Sequence, residues 1–186
     1  QAGECKLQDY FMGYQQQLSR FKEKKVEKVK AQAIGPYIVY DGERCILCTR
    51  CVRFMEEIAG DPQLCVQARG DHSSISAAPG RKLDHPYALN TVDLCPVGAL
   101  TSREFRFRMR VWFLADAASV CPGCSRGCSI TVQHHQGTAH RFLPRDNPLV
   151  NDSWLCDDGR LAYRRLNDNR LAKAIERQGE DLLEID

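Results

Sequence analysis

Long apolar stretches and a strong charge of either sign are both missing from this chain of 186 residues. No run of 18 apolar residues occurs, so we expect no segment that inserts into a membrane. The net charge is only +2, which provides no general basic field, and we expect no nucleic-acid partner. A secretory signal and an initiator Met are also lacking, which leads us to expect a fragment of a longer protein.

Cysteine, by contrast, is abundant, with ten residues in the chain. Where no secretory signal is present, such a count argues against a disulfide scaffold and favours metal. The spacing of these cysteines must therefore indicate which metal the protein binds.

Hydrophobic periodicity in the first half predicts short elements joined by turns. Apolar residues at three- and four-residue steps indicate a helix over about 6–30, ended by Gly35 and Pro36. We expect a short strand over 37–40, a helix over 49–59 and short strands within 63–90.

The second half gives a similar pattern. The alternating stretch EFRFRMRVWF, residues 104–113, predicts a half-buried strand. SITVQHHQGTAHRFLP predicts a hairpin that turns at Gln136 and Gly137, and 158–178 is expected to be helical. We predict an α+β fold of small, loop-rich modules that metal clusters help to hold together.

The stretch CILCTRC, residues 45–51, contains three cysteines at three-residue steps. This spacing opens the bacterial ferredoxin run C-x2-C-x2-C-x3-C-P, in which a remote cysteine followed by proline supplies the fourth ligand of a cluster. DLCPVGAL offers such a cysteine after 43 intervening residues. We predict one [4Fe–4S] cluster on Cys45, Cys48, Cys51 and Cys95.

Both ferredoxin runs around this site are incomplete. The last cysteine of a complete first run would stand at Met55, and the other cysteines of a complete second run would stand at His85, Ala88 and Thr91. The sequence therefore has the pattern of a two-cluster ferredoxin that lost one cluster and kept the crossed ligand of the other. A zinc site on the same four sulfurs is the alternative, although zinc sites usually pair CxxC with CxxC.

A second cysteine group occurs in CPGCSRGC, with a fourth cysteine in WLCDDGR after 27 intervening residues. Its C-x2-C-x3-C order is the reverse of the order in radical enzymes that use S-adenosylmethionine, which leave one iron open. Gly123 and Gly127 let the backbone fold close to a cluster. We predict a second, closed [4Fe–4S] cluster, with zinc again as the alternative, on Cys121, Cys124, Cys128 and Cys156.

Several other residues are expected to have a structural or a tuning role. Cys65 stands in an apolar stretch and is expected to be a buried small hydrophobe. Surface or packing roles are expected for the hairpin residues His134, His135 and His140. A nearby cation should raise a cluster's potential, unless it only reaches solvent or a partner, and the candidate cations are Arg44, Arg50, Arg53 and Arg126.

The motifs GECKLQD, RCILCTRCVRF, NTVDLCPVGALTS, RVWFL and CPGCSRGCSI follow one another in this order. In order and spacing, the chain resembles the large iron–sulfur subunit of bacterial NADH:quinone oxidoreductase, respiratory complex I, over nearly its whole length. The resemblance implies an electron-transfer subunit that relays single electrons from a flavin-bearing, NADH-oxidising subunit toward quinone. It also implies that this chain has no catalytic site of its own.

The resemblance also implies where each cysteine group stands in the electron path of the complex. It implies that the first cluster is a link of the main electron chain and that the second lies off that path. Cys5 matches the last ligand of a further [4Fe–4S] cluster held by one His and three Cys, whose other ligands would precede Gln1. Cys5 is therefore expected to be an orphan ligand, and that third cluster and a [2Fe–2S] cluster are expected only in the full-length protein.

The resemblance also implies an organisation and a location. The expected units are the end of the His/Cys cluster module over 1–36, a ferredoxin-like module over 37–113, a molybdopterin-oxidoreductase-type 4Fe–4S domain over 114–168, and the start of a truncated downstream domain over 169–186. The expected partners are the flavin-bearing subunit and the subunits that lead to quinone. The complex would hold the chain peripherally on the cytoplasmic face of the inner membrane.

Three alternatives stay open at this point. An NAD-linked molybdenum or tungsten formate dehydrogenase shares the second motif, but such enzymes usually have Lys or Arg where this chain has Asp158. Diaphorase subunits of NAD-linked hydrogenases generally end soon after the ferredoxin part. A structural zinc protein that binds nucleic acid through the Arg-rich stretch 104–113 is the alternative from a different class.

Overall fold

The computed structural model describes residues 3–14, 18–168 and 173–185. Within these ranges, small antiparallel sheets alternate with short helices, as the prediction of an α+β fold of small modules requires. No helix among the described residues is long and apolar enough to cross a membrane.

The first helix, α1, covers only Lys6–Tyr14. The predicted helix over 6–30 is wrong for 18–30, which is not helical, while 15–17 lie outside the described residues. The chain instead runs along the neighbouring module, where Val29 O accepts a hydrogen bond from Gly42 N at 2.8 Å and Lys28 Nζ donates to Ser73 O at 2.9 Å. A helix without a buried face gains little from its own backbone bonds, so these contacts outweigh helix propensity.

The first module is built on a three-stranded sheet of β1 (Gln32–Ala33), β2 (Ile38–Tyr40) and β5 (Leu100–Ser102), in the order β1-β2-β5. The whole of β2 is buried, which confirms the strand predicted over 37–40. Helix α2 (Arg50–Arg53) continues as a π-helical segment, Phe54–Ile58, and Gly60 follows with a φ of +68°. The helix predicted over 49–59 is therefore confirmed, although its second half is wider than an α-helix.

The region 63–90 contains the predicted short strands. β3 (Leu64–Gln67) and β4 (Ser74–Ala77) form an antiparallel hairpin around a 3-10 turn at Gly70–His72. Cys65 is only half-buried, because strand alternation turns Leu64 into the core and leaves the thiol beside Ser76 Oγ at 3.8 Å. The prediction of a buried Cys65 is wrong. Helix α3 (Asn90–Leu94) then leads to Cys95.

The strand predicted over 104–113 is wrong. Residues 103–108 form turns, with Phe107 at a φ of +63°, and a 3-10 turn follows at Val111–Phe113. The arginines of this stretch lie over neighbouring rings rather than along one face of a strand: Arg106 Cζ lies 4.7 Å from the ring centre of Phe107, and Arg110 Cζ lies 5.8 Å from that of Trp112. The alternation of arginine and apolar residues in this stretch therefore reflects cation–aromatic pairs in a loop, not the two faces of a strand.

The second module has a three-stranded antiparallel sheet in the order β6-β7-β8. Its strands are β6 (Ala115–Val120), β7 (Ser129–His135) and β8 (Thr138–Pro144). Gln136 and Gly137 have φ values of +48° and +78°, which is the left-handed pair that a tight two-residue turn needs. The predicted hairpin is confirmed at its predicted turn.

The end of the chain is only partly helical. α4 (Asp157–Leu161) and α5 (Tyr163–Asn167) are followed by the hairpin of β9 (Ala174–Gln178) and β10 (Asp181–Ile185). The helix predicted over 158–178 is wrong for 174–178, and 169–172 lie outside the described residues. Asn167 holds the end of α5 against β8, since its Nδ2 donates to Ala139 O at 2.7 Å and its Oδ1 accepts from Ala139 N at 3.0 Å.

Two apolar cores underlie the two modules. The first surrounds Ile38, Met55 and Leu89, and the second surrounds Ile130, Phe142 and Leu155. Trp154 joins them, because it is the sequence neighbour of Leu155 in the second core but packs on the first, with its ring centre 4.8 Å from that of Phe54.

Candidate metal centres

The first cysteine triplet lies in the loop that leads into α2. Cys45, Cys48 and Cys51 line one cavity together with Cys95, which follows α3, so the remote cysteine reaches the triplet. The remaining wall is largely apolar and includes Tyr40, Ile75, Val97, Ala99 and Leu100. Burial, together with the neighbouring Cys95, Cys45 and Cys48, raises the pKa of the Cys51 thiol to about 12. An uncompensated thiolate is therefore unfavourable in this cavity, and a bound metal would stabilise it.

Backbone conformation aims amide groups at the sulfurs of the first quartet. Leu47 and Thr49 have φ values of +53° and +59°, which tightens the loop, and Leu47 N donates to Cys45 Sγ at 3.4 Å. After Cys95, Gly98 adopts a φ of +64°, and the Ala99 and Leu100 amides donate to Cys95 Sγ at 3.2 and 3.4 Å. Hydrogen bonds to sulfur stabilise the thiolate form and help to set the potential of a bound cluster.

The positions at which the ferredoxin pattern is incomplete are part of the core. Met55 is fully buried, Ala88 is buried, and buried Thr91 donates its hydroxyl to Ala88 O at 2.7 Å. His85 is half-buried, and its Nδ1 accepts from Tyr87 N at 3.2 Å. Packed side chains therefore occupy the positions where a second ferredoxin cluster would have its ligands.

The second quartet lies between the sheet of the second module and α4. Cys121 follows β6 and Cys128 precedes β7, and Cys121 N donates to Cys128 O at 2.8 Å. A Cβ built on Gly159 would lie 3.1 Å from both Cys121 Sγ and Cys156 Sγ, so both sulfurs lie next to that glycine. Cys156 is thus close to the 121–128 loop despite the 27 residues between them in sequence.

The cysteines of the second quartet are close enough to affect one another's pKa. Burial raises the pKa of the Cys128 thiol, and Cys121 and Cys156 raise it further, whereas the Arg126 guanidinium lowers it. Gly159 N donates to Cys156 Sγ at 3.3 Å, which gives this sulfur the same kind of support that Cys95 has. Gly127 has a φ of +62° and closes the loop before Cys128.

The donor set at each site fits an iron–sulfur cube. Each group offers four cysteine sulfurs, which is the ligand set of a [4Fe–4S] cluster. A single zinc ion, with bonds of about 2.3 Å, would need its sulfurs within about 4 Å of one another. Within the described ranges, no three His, Cys, Asp or Glu side chains form a group that could hold a single metal ion.

The arginines near the first site differ in how their charge is compensated. Arg53 pairs with Glu57 at 2.9 Å, and Arg44 pairs with Asp41 at 3.4 Å. Arg50 lines the cavity itself and has no carboxylate within ion-pair distance in the described part of the chain. Of these three arginines, Arg50 is thus the one that lines the cavity without a paired carboxylate among the described residues.

Two family models match the chain where these groups lie. The ferredoxin-like domain of NADH-quinone oxidoreductase subunit 3 matches residues 35–101, and the molybdopterin oxidoreductase Fe4S4 domain matches residues 116–168. The first quartet falls within the first match and the second quartet within the second. Both matched domains are of the iron–sulfur type, which supports iron–sulfur cofactors on this chain.

Curated proteins match over a longer range. The NADH-quinone oxidoreductase subunit designated G from Streptomyces coelicolor is 39% identical over 98% of this chain and 22% of its own length. The chain is homologous to this NADH-quinone oxidoreductase subunit. The corresponding subunits of Mycobacterium bovis and Rickettsia conorii are 42% and 36% identical, over 87% and 99% of the chain. This chain spans only 20% to 27% of the length of these relatives.

A solved structure is also similar to part of this chain. It is described as the crystal structure of NAD+-reducing [NiFe]-hydrogenase in the H2-reduced state, and it is 30% identical with a TM-score of 0.48. The match covers 59% of this chain and 48% of the other chain.

The other residues predicted from the sequence lie apart from the two quartets. Cys5 directly precedes α1, is buried in the first core and does not line the first cavity. His135 Nδ1 and Phe113 O lie at hydrogen-bond distance, 2.8 Å apart. Burial lowers the pKa of His140, and His135 lowers it further.

Sequence reasoning missed the residues that support the second quartet. Buried Asn151 accepts from Ser129 N at 2.8 Å, and its Nδ2 donates to Trp154 O at 3.1 Å. It thereby ties the residue after Cys128 to the segment that leads to Cys156. No spacing rule could have singled out this asparagine, since its partners are backbone groups, one of them 22 residues away in sequence.

Proposed function

We propose that this chain is an electron-relay part of NADH:quinone oxidoreductase and carries two [4Fe–4S] clusters. The proposed ligands are Cys45, Cys48, Cys51 and Cys95 for the first cluster, and Cys121, Cys124, Cys128 and Cys156 for the second. The observation that supports this most is that each remote cysteine lies beside its triplet, with Cys95 in the cavity of the 45–51 loop and Cys156 Sγ next to Gly159, as Cys121 Sγ is.

The protein's contribution is to hold thiolates, limit access of water and donate hydrogen bonds. A bound [4Fe–4S] cluster supplies a one-electron couple whose reduced form carries one more negative charge than its oxidised form. Amides at Leu47, Ala99 and Leu100 favour negative charge on the first quartet, and the Gly159 amide does so on the second. Four protein ligands at each site would leave no open position for substrate, so we assign this chain electron transfer and no catalytic site.

The wider role follows from homology to the larger NADH-quinone oxidoreductase subunits. We propose that electrons arrive from a flavin-bearing, NADH-oxidising subunit and leave toward the subunits that lead to quinone, on the cytoplasmic face of the inner membrane. The units proposed for the chain are 1–36, 37–113, 114–168 and 169–186. Cys5 is proposed as one ligand of a third, His/Cys3 cluster that needs residues beyond this chain, and a [2Fe–2S] cluster is likewise assigned to the longer protein.

Single cysteine substitutions test the proposed ligand grouping. The protein that contains this chain is purified anaerobically, its iron and sulfide are measured, and electron paramagnetic resonance (EPR) spectra are recorded after reduction. Cys95→Ala should remove the first cluster signal only and Cys156→Ala the second only, because each substitution opens one quartet. Cys65→Ala is the matched control and should retain both signals, since this thiol lies on the β3–β4 hairpin.

Three outcomes would contradict the proposal. A colourless wild-type protein that contains zinc would replace electron transfer with a structural role. Loss of both signals in either single variant, with the fold intact by circular dichroism, would show that the two quartets are wrongly divided. Loss of either signal in the Cys65→Ala control would assign a ligand that the grouping omits.

A further inference from the structure

The two remote cysteines belong to segments that pack against each other. Cys95 ends α3, and Cys156 is the residue before α4. Asp157 N, beside Cys156, donates to Pro86 O at 2.7 Å, and Asp157 Oδ1 accepts from Leu89 N at 3.0 Å. The remote ligands of two separate sites are thus connected through one interface.

Buried Asn90, in the first turn of α3, forms the centre of this interface. Its Nδ2 donates to Leu155 O at 2.9 Å, and its Oδ1 accepts from Leu155 N at 3.1 Å. These two bonds fix the backbone of the residue before Cys156. Asn90 and Leu155 are both buried, so loss of either hydrogen-bond partner would leave a buried polar group without a hydrogen bond.

Arg160 extends the same interface toward Cys95. Its guanidinium donates two bonds to Asp93, from Nη1 to Oδ1 at 3.2 Å and from Nη2 to Oδ2 at 2.6 Å, and Nη2 also donates to Asn90 Oδ1 at 3.1 Å. The Arg160 side chain is only 8% exposed, and that of Asp93 is 29% exposed. A two-pronged pair of this kind constrains orientation as well as distance.

The Arg160–Asp93 pair is close in sequence to the remote cysteine of each site. Asp93 lies two residues before Cys95, and Arg160 lies four residues after Cys156, whose carbonyl accepts from Arg160 N at 2.9 Å. The triplets 45–51 and 121–128 are local loops, but each quartet closes only when its remote segment is in place. The step that completes each site therefore involves the surface that Arg160 spans.

We propose that Arg160 is a positioning residue shared by the two cluster sites, which holds Cys95 through Asp93 and Cys156 through α4, so that the two sites assemble and persist together. This inference rests on the proposed function, because it assumes a cluster on each quartet. Arg160 contacts neither cluster in this scheme and acts only through the segments that carry the ligands.

The test compares cluster retention in variants of the anaerobically purified protein that contains this chain. Arg160→Gln removes the positive charge and the pair of parallel hydrogen bonds to Asp93, which we call the fork. We expect both EPR signals to decay together under an iron chelator, at a rate increased by roughly tenfold, the lower end of the loss in metal affinity that follows removal of a ligand's outer-shell partner. Asp93→Asn, which breaks the pair from the other side, should give the same joint loss.

Two further variants separate positioning from general stability. Arg160→Lys keeps the charge and one bond but not the fork, so its chelation rate should lie between those of the wild type and Arg160→Gln. Arg164→Gln is the matched control, because Arg164 pairs with Glu104 at 2.6 Å across the same two modules but is 49% exposed. It should retain both signals at the wild-type rate.

The outcomes decide between shared and separate assembly. The inference is overturned if Arg160→Gln affects only the second signal and Asp93→Asn only the first, or if Arg164→Gln accelerates loss as much as Arg160→Gln does. If Arg160→Gln does not accumulate, Asp93→Asn and Arg160→Lys decide by the same criterion of joint or separate loss. Absence of two cluster signals in the wild type would instead refute the proposed function.

Discussion

Gly159→Ala provides a sharp test of the second site, because the added methyl group would meet the proposed ligands themselves. The new Cβ would lie 3.1 Å from Cys121 Sγ, 3.1 Å from Cys156 Sγ and 3.3 Å from Leu155 Cδ1. Optimal separations between carbon atoms are about 3.5–4.0 Å, and sulfur is larger than carbon. The methyl group therefore requires at least one sulfur to move.

Two energies of opposite sign compete at this position. Gly159 lies within α4, where replacement of glycine by alanine favours the helix by up to about 1 kcal/mol. Overpacking of a close-packed site costs about 1–3 kcal/mol. In the cluster-free protein a cysteine side chain can rotate away, but in the loaded protein both sulfurs are fixed. The cost thus falls on cluster binding, and we expect a net weakening of about 1–2 kcal/mol, or roughly 5- to 30-fold in retention.

The assay follows both EPR signals and the iron content during chelation. We expect Gly159→Ala to lose the second signal faster and to keep the first at the wild-type rate. Gly13→Ala is the matched control, since this glycine lies in helix α1 and nothing lies within 4 Å of a Cβ built on it. Equal retention of the second signal in wild type and Gly159→Ala would refute the placement of Cys121 and Cys156 around this glycine.

Two further predictions concern the first module. Arg50→Ala should lower the midpoint potential of the first cluster by roughly tens of millivolts in a redox titration, because an uncompensated cation favours the reduced form but solvent screens it. Arg53→Ala should shift the potential less, since Glu57 compensates Arg53, and an unchanged or raised midpoint in Arg50→Ala would contradict this reasoning. Met55→Ala should lower the free energy of unfolding by about 2–5 kcal/mol, because Met55 is fully buried. Met55→Leu should cost less than about 1.5 kcal/mol in the same denaturation experiment, and equal losses would show that Met55 does not fill the core.

Local sequence signals predicted the elements whose cause is local. The hairpin turn at Gln136 and Gly137 was predictable because few residues tolerate the left-handed backbone of a tight turn. The strand at Ile38–Tyr40 was predictable from its apolar character, and the end of the α2 helical segment from Gly60. In each case the chemistry of a few adjacent residues is sufficient.

Periodicity was misleading where the expected partner surface is missing. The apolar pattern over 6–30 indicates one long helix, but α1 has no buried residue and ends at Tyr14, and the later part hydrogen-bonds to the first module instead. The alternation over 104–113 indicates a strand, but Arg106 and Arg110 lie over aromatic rings in a looped segment. A periodic pattern shows that two faces differ, and only tertiary contacts determine what covers each face.

Cysteine spacing by itself determined the ligand groups proposed here and the class of cofactor expected for them, since three-residue steps and a remote Cys-Pro fit a cube and suit few other sites. The tertiary structure decided how the remote segments come to lie there. Asn90, Asp93, Asn151 and Arg160 hold those segments through hydrogen bonds to backbone and side-chain groups, many of them 65 to 70 residues away in sequence. Such partners leave no periodic or spacing signal, because a hydrogen bond depends on where two groups meet in space.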